Sequence, residues 1–328
     1  PEILRDSGVL FISELAQVML GLAIIGILSN DLSISRFGFW FSILAVFQLL
    51  MIADFGFSTV VARLVPNPEV EDSSLIKTVR KSQLIIVSTI IPICVFILFV
   101  LFDDQEILAP PIYLLGASTL ATSCTNINRT FLRTIGLSFY EVRISLVDRG
   151  FTVLSLLICR EAYGISELGY LLAYISGPII GFIFSSILVN LQLSLIEQSG
   201  KEIGLFELFR ESLPFAIDST LAPISESATR IILLMASGTV AVAIFEVAWK
   251  VFIGGGAIVR AIRKSMLSAY SSKKSDTDKM SESVYNSRKL IKWLAPLGIV
   301  CGSLGSFLIP FVFSKDYIDS IAVFVILL

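Results

Sequence analysis

Arg5-Asp6-Ser7 near the start of the chain and Arg210-Glu211-Ser212 deep inside it are variants of one motif, 205 residues apart. The same offset lays Phe37-Gly38-Phe39-Trp40 onto Val242-Ala243-Ile244-Phe245 without a gap. Each stretch stands at the mouth of a long apolar segment. The chain therefore reads as a duplicated membrane protein, with residues 1–204 forming an N-terminal six-helix bundle and 205–328 an incomplete C-terminal one. Duplicated multi-pass folds build their site between the halves, which points to transport.

Composition agrees. Hydrophobic residues make up 55% and charged residues 16% of the 328, where soluble chains carry roughly 25% charged residues. Mean hydropathy is +0.85. The first apolar segment is long enough to span and lacks the short form of a cleaved signal. Cys94, Cys124, Cys159 and Cys301 are scattered singly through apolar segments, a structural pattern with neither metal-ligand nor disulfide spacing. Histidine is absent, which removes the commonest general base and the commonest metal ligand together.

Length rather than alternation marks the segments as helices, since a barrel strand needs only about 10 alternating residues. Nine complete spans and the start of a tenth are expected: 8–29, 37–65, 82–102, 107–130, 139–160, 166–192, 209–236, 240–268, 284–313 and 320 onward. The final apolar run, Ile321 to Leu328, is far short of the roughly 20 residues of a spanning helix. The repeat thus predicts about 80 further residues in the native gene, enough for about two more helices. Residues 193–208 alternate apolar and polar character and are expected to lie along the membrane surface as an interfacial helix.

Of the 25 Lys and Arg, the outer loops hold only Arg36, Arg160 and Lys315, and Arg230 and Lys250 lie within helices. The other 20, Arg129, Arg133, Arg143 and Arg149 among them, fall on the inner side when the N-terminus is inside. That asymmetry predicts a multi-pass protein of the cell membrane with a cytoplasmic N-terminus.

Charges inside the spans supply the candidate site, because an ionised group at the bilayer centre costs about 2.5–3.5 kcal/mol and needs a partner or water. Glu226 and Arg230 are four apart in the seventh span, as are Glu246 and Lys250 in the eighth, so each pair shares a helix face. Lys250 falls roughly 15 Å from the outer end, close to the midplane. Two compatible readings stand: structural ion pairs, or the lining of a water-filled substrate cavity. Because the spacing makes Glu246 the local partner of Lys250, the double change Lys250→Met with Glu246→Gln is expected to fold. Glu14 and Asp218, roughly 9 Å and 13 Å from the inner ends of their spans, have no partner within their own helices. They are candidates for binding a coupling ion, Na+ or H+. Asp54 is a third such candidate, or a structural acid reaching the headgroups or Arg63. Pro214, Pro223 and Gly254-Gly255-Gly256 interrupt these helices beside the charges, as transport sites do, although small residues also serve close packing.

Leu4-Arg5-Asp6-Ser7-Gly8, Phe37-Gly38-Phe39-Trp40 and Ile52-Ala53-Asp54-Phe55-Gly56-Phe57-Ser58 resemble the polysaccharide flippases, the Wzx-type members of the multidrug/oligosaccharidyl-lipid/polysaccharide exporter superfamily. Ser212-Leu213-Pro214 is similar to that family's Ser-x-Pro opening of the seventh helix, and Thr229-Arg230-Ile231-Ile232-Leu233 to its Asp-Arg segment. Phe37 departs from a usual Tyr and Thr229 from a usual Asp. The resemblance implies an all-α fold of two six-helix halves around a central cavity. It also implies movement of a polyprenyl-diphosphate-linked oligosaccharide to the outer leaflet by alternating access. Arg230, Lys250, Glu226 and Glu246 would then line the cavity. Membrane lipids and a polysaccharide polymerase or glycosyltransferases would be the partners, with no nucleic acid and no cofactor beyond the coupling ion. A cation-coupled multidrug exporter of the same superfamily is the alternative. A membrane polymerase or glycosyltransferase is remote, because outer loops of seven residues or fewer, no histidine and no Gly-rich phosphate loop leave no place for that chemistry.

Overall fold

The computed structural model describes residues 2–66, 71–101, 110–163, 167–195, 201–255, 309–310, 312–313 and 315–327, and every regular element among them is helical. Helix α1 (Glu2–Asp31) has 30 residues, about 45 Å of rise, against a hydrocarbon core about 30 Å thick. It is followed by α2 (Ile34–Phe47), a 3-10 turn (Gln48–Asp54) and α3 (Phe57–Leu64). Then come α4 (Asp72–Leu101), α5 (Pro110–Thr134), α6 (Phe139–Tyr163), α7 (Glu167–Leu195), α8 (Leu205–Gly255) and α9 (Ser320–Leu327).

The second expected span, 37–65, is not one helix. Backbone left-handedness at Phe55 (φ 40°) and Gly56 (φ 76°) ends the 3-10 turn and restarts the chain as α3. Asp54 stabilises the restart: its Oδ1 accepts from the backbone N–H of Ser58 at 3.1 Å and from the Ser58 hydroxyl at 2.7 Å. That satisfies one of the unpaired donors of the first helical turn. Arg63, the expected alternative partner of Asp54, instead lies 3.4 Å from Glu211 at the start of α8.

Helix α8 is two arms joined at Gly238, whose φ of 78° and ψ of −175° no side-chain-bearing residue adopts comfortably. Arg230 and Glu246 stand eight residues to either side and touch at 2.7 Å. In a straight helix they would be about 24 Å apart, so the arms are antiparallel. Across from this hairpin lies α2. A Cβ on Gly38 would meet the Thr239 carbonyl oxygen at 1.9 Å and the Cβ of Ala243 at 3.3 Å. Gly38 and Ala243 are the residues that the 205-residue offset superimposes.

Burial is inverted relative to a water-soluble protein. Phe96 is 68% exposed, whereas Arg230 is 1% and Asp148 is 3% exposed. Among the described residues five segments are long and apolar enough to cross a membrane: Ser13–Asp31, Ile34–Ile52, Asp72–Leu101, Leu168–Leu195 and Ser219–Gly254, the last containing the hairpin. Helix α5 falls short through its Ser, Thr, Asn and Pro residues and α6 through its charge, and the charge the two helices share faces inward. Arg129 lies 3.2 Å from Asp148, and Arg133 lies 3.4 Å from Glu141. Small residues let α7 close over this layer, since a Cβ on Gly177 would meet the Asp148 carbonyl at 2.2 Å.

The helix expected over 193–208 is not continuous, and residues 196–200 lie outside the described residues. Helix α7 runs on to Leu195, and residues 201–204 are non-helical before α8 begins at Leu205. That stretch is tied to α4, where Ile203 donates its N–H to the Ser74 hydroxyl at 3.2 Å and accepts from the Thr78 hydroxyl at 3.0 Å. These side-chain bonds and Gly204 compete with helix formation. The remainder of the eighth span beyond Gly255, most of the ninth, the basic stretch 271–292 and Cys301 lie outside the described residues.

Ser33 and Ser237 are both exposed, and a 3.2 Å contact between the Ser35 and Thr239 hydroxyls puts them at one end of the bundle. In a background with all four cysteines replaced, cysteines at Ser33 and Ser237 are expected to react with an impermeant thiol reagent from outside. A cysteine at Ser275 is expected to stay protected. Labelling of Ser275→Cys in intact cells would invert the topology.

Candidate functional site

The four expected cavity residues form one chain of alternating charge. The i,i+4 contacts anticipated from spacing are present: Lys250 Nζ is 3.2 Å from Glu246 Oε1, and Arg230 Nη1 is 3.8 Å from Glu226 Oε2. The shortest contact is the one that crosses the hairpin, from Arg230 Nε to Glu246 Oε2 at 2.7 Å. Lys250, Glu246, Arg230 and Glu226 thus run plus, minus, plus, minus. Alternation is what makes four ionised groups tolerable at this depth, since each alone would cost about 2.5–3.5 kcal/mol.

Their exposure separates their roles. Arg230 and Glu246 are buried, while the Lys250 side chain is 33% and that of Glu226 38% exposed. Arg230 also donates to Gln48 Oε1 at 3.0 Å and to the Glu226 carbonyl at 3.2 Å. Its Nε and Nη1 are engaged with protein groups and tie the hairpin to α2, while its Nη2 is buried without a hydrogen-bond partner. The open ends of the chain, Lys250 and Glu226, are its more exposed groups.

Two chambers open on these ends. The first, about 330 Å³, is bounded by Phe41 and Gln48 from the second span, Ser118, Thr119 and Thr122 of α5, Tyr174 of α7 and the four charged residues. The second, about 380 Å³, is bounded by Glu14, Gln17 and Val18 of α1 and by Gly254 of α8. Phe41, Arg149, Tyr174, Glu226 and Lys250 line both, so the chambers meet there.

Arg149, an inner-side cation by the sequence count, lines the cavity wall. It has no ion-pair partner among the described residues. Its position ten residues into the expected 139–160 span, roughly 15 Å deep, was the signal that could have found it. Equidistance of residues 230 and 246 from Gly238 was the corresponding signal for the cross-hairpin pair. Gln48, Tyr174 and the α5 hydroxyls carry no such signal, because polar residues of that kind are common in membrane helices.

Of the three ion-coupling candidates, Glu14 is buried on the second chamber's wall, beside Ser13, whose hydroxyl is 3.2 Å from that of Ser145. Within the folded chain Glu14 has an interaction partner, so it is not the isolated carboxylate that its own helix suggested. Asp54 caps α3, away from both chambers. Asp218 belongs to α8, and its side chain lies outside the described residues. No cluster of three or more metal-binding side chains occurs among the described residues.

Comparison with known proteins agrees with this geometry. A family model described as polysaccharide biosynthesis protein matches residues 3–253. No curated protein matches the chain. Among solved structures, a crystal structure of MATE in complex with MaL6 is 16% identical with a TM-score of 0.69, covering 98% of this chain and 77% of that one. The outward-facing conformation of a multidrug resistance MATE family transporter of the MOP superfamily is 18% identical at a TM-score of 0.69, with the same coverage. A MOP superfamily transporter from Pyrococcus furiosus, described as having a reversed polarity of its binding pocket, is 16% identical at 0.63, covering 98% and 77%. Identities this low establish the fold alone: a multi-pass membrane bundle of the MATE type.

Proposed function

The chain belongs to the polysaccharide biosynthesis protein family, and from that membership we propose that it is a transporter of a lipid-linked oligosaccharide intermediate. The headgroup, a diphosphate bearing sugars, enters the cavity while the polyprenyl tail stays in lipid. Alternating access then carries it from the cytoplasmic to the outer leaflet of the cell membrane, without hydrolysis. The Gly38–Ala243 contact between repeat-equivalent positions supports two halves related about that point.

One observation carries the reading. Arg149 on α6 and Lys250 on α8 come from different halves and line the same junction. Lys250 has three donors, of which one reaches Glu246, and Arg149 has a whole guanidinium. Two cations in a low-dielectric cavity suit a ligand with adjacent negative charges. Glu14, on the wall of the same cavity, takes the coupling H+ or Na+, with Asp218 as its counterpart in the second half.

The test is complementation of a strain lacking its own flippase, scored by surface glycan and by membrane protein level. Arg149→Gln and Lys250→Met are each expected to reach the membrane at normal level, since Arg230 still neutralises Glu246. Each is expected to lose glycan export about tenfold or more, one charge-assisted contact being worth about 1.5–3 kcal/mol. Normal complementation by both variants would remove the anion from the site.

A second reading, export of organic cations, is favoured by the half-exposed Glu226 and by Glu14. Ethidium efflux without glycan complementation by the wild type would decide for it.

A further inference from the structure

Away from the cavity, Arg80 of α4 carries a charge that the described residues leave unbalanced. Its guanidinium donates at 3.4 Å to the side-chain oxygens of Asn190 on α7 and of Asn128 on α5. Asn128 is itself fixed by its bonds to the Ser185 and Ser186 hydroxyls at 3.0 and 3.2 Å. These amides orient the guanidinium without neutralising it, and no carboxylate pairs with it among the described residues. A guanidinium has five N–H donors, and the two amides use only some of them. None of the Arg80 nitrogens is buried without a partner, so its unused donors reach the surface. Lys77 and Lys81, both exposed, stand within one helical turn of Arg80. From the facing helix the exposed Asn190 adds its amide N–H groups, since its oxygen is taken by Arg80. Deeper along both helices the surface turns apolar, with Leu84 and Ile85 of α4 and Ile183 and Ile187 of α7 exposed. Depth fits the same pattern. Arg80 lies roughly 12 Å from the start of α4, just inside the hydrocarbon boundary of a bilayer about 40–45 Å thick with its headgroups. The Lys and Arg asymmetry predicts this end to be cytoplasmic.

We propose that Lys77, Arg80, Lys81 and Asn190 form a binding site for one anionic phospholipid of the inner leaflet, separate from the transport cavity and independent of what that cavity carries. The phosphate takes the unused guanidinium and ammonium donors, and the acyl chains lie along the apolar faces of α4 and α7. Charge complementarity selects the occupant. Three cations match a headgroup of net negative charge, whereas a zwitterionic headgroup brings a cation of its own. A soluble anion gains nothing from the apolar faces. Seated there, the lipid bridges α4, most of whose surface is exposed, to α7.

Native mass spectrometry of the full-length protein in detergent, titrated with dioleoyl phosphatidylglycerol or dioleoyl phosphatidylcholine, tests this. The first phosphatidylglycerol is expected to bind about tenfold tighter than phosphatidylcholine, the equivalent of one charge-assisted contact. Arg80→Gln is expected to abolish that preference. Because Arg80 also ties α4 to its neighbours, Lys77→Gln with Lys81→Gln is the second variant: both side chains are exposed, and their loss leaves the packing intact. It is expected to cut the preference about threefold or more with phosphatidylcholine affinity unchanged. Arg143→Gln is the control, an inner-side cation stacked 4.6 Å over the Phe139 ring, and is expected to keep the full preference. Equal affinity for the two lipids in the wild type overturns the site, as does an unchanged preference in the lysine-pair variant. An equal loss in Arg143→Gln overturns it too, by showing a diffuse attraction to the whole inner face. Displacement of phosphatidylglycerol by inorganic phosphate would mark a soluble anion's site and overturn the lipid.

Discussion

Glu246→Gln is expected to deplete the protein from the membrane, whereas Lys250→Met is not. Glu246 accepts from Arg230 at 2.7 Å and from Lys250 at 3.2 Å, and its own side chain is 1% exposed. Removing its charge leaves Arg230 buried with Glu226 as its remaining acid, 3.8 Å away. Breaking a buried pair from one side costs about 3–5 kcal/mol, a large share of the roughly 5–15 kcal/mol that hold a protein folded. Removing Lys250 instead leaves Glu246 neutralised by Arg230. The double change Lys250→Met with Glu246→Gln, which helix spacing alone predicts to fold, is therefore expected to fail like the single glutamine variant. Membrane-fraction level and detergent melting temperature measure this. A double variant as stable as wild type would mean that Arg230 does not need Glu246.

Gly38→Ala is expected to be nearly as damaging, for a steric reason. The added carbon would lie 1.9 Å from the Thr239 carbonyl oxygen and 2.6 Å from its carbon, backbone atoms beside the hairpin turn. Overpacking a side-chain environment costs about 1–3 kcal/mol, and here relief requires moving a helix rather than a rotamer. Because the contact joins α2 to the second arm of α8, the shift would also separate the elements that hold Gln48 near Arg230. Loss of glycan export with a lowered melting temperature is expected. Gly150→Ala is the control: nothing lies within 4 Å of its Cβ position, so in mid-helix alanine should be neutral or stabilising by a few tenths of a kcal/mol. A Gly38→Ala protein that melts with the Gly150→Ala protein would remove the close approach from the account.

Membrane class, helical type and approximate span limits were legible in the chain by itself, because they depend on local quantities: apolar length, rise per residue and the position of loops. The i,i+4 pairs Glu226–Arg230 and Glu246–Lys250 were legible for the same reason, as helical spacing fixes which side chains are neighbours. Packing between helices decided the rest. The break at Phe55–Gly56 depends on a backbone turn that an apolar run conceals, and Asp54 is a cap because that turn exists. Arg149 reads as one more inner-side cation until α6 is packed against α1 and α7, which puts it on the cavity wall. Arg230 reads in sequence as the i,i+4 partner of Glu226, but the hairpin at Gly238 brings Glu246 onto it at 2.7 Å. Burial and cross-helix neighbours depend on crossing angles and close approaches that no window along the chain contains, so the division of these charges into buried and half-exposed ones belonged to the tertiary structure.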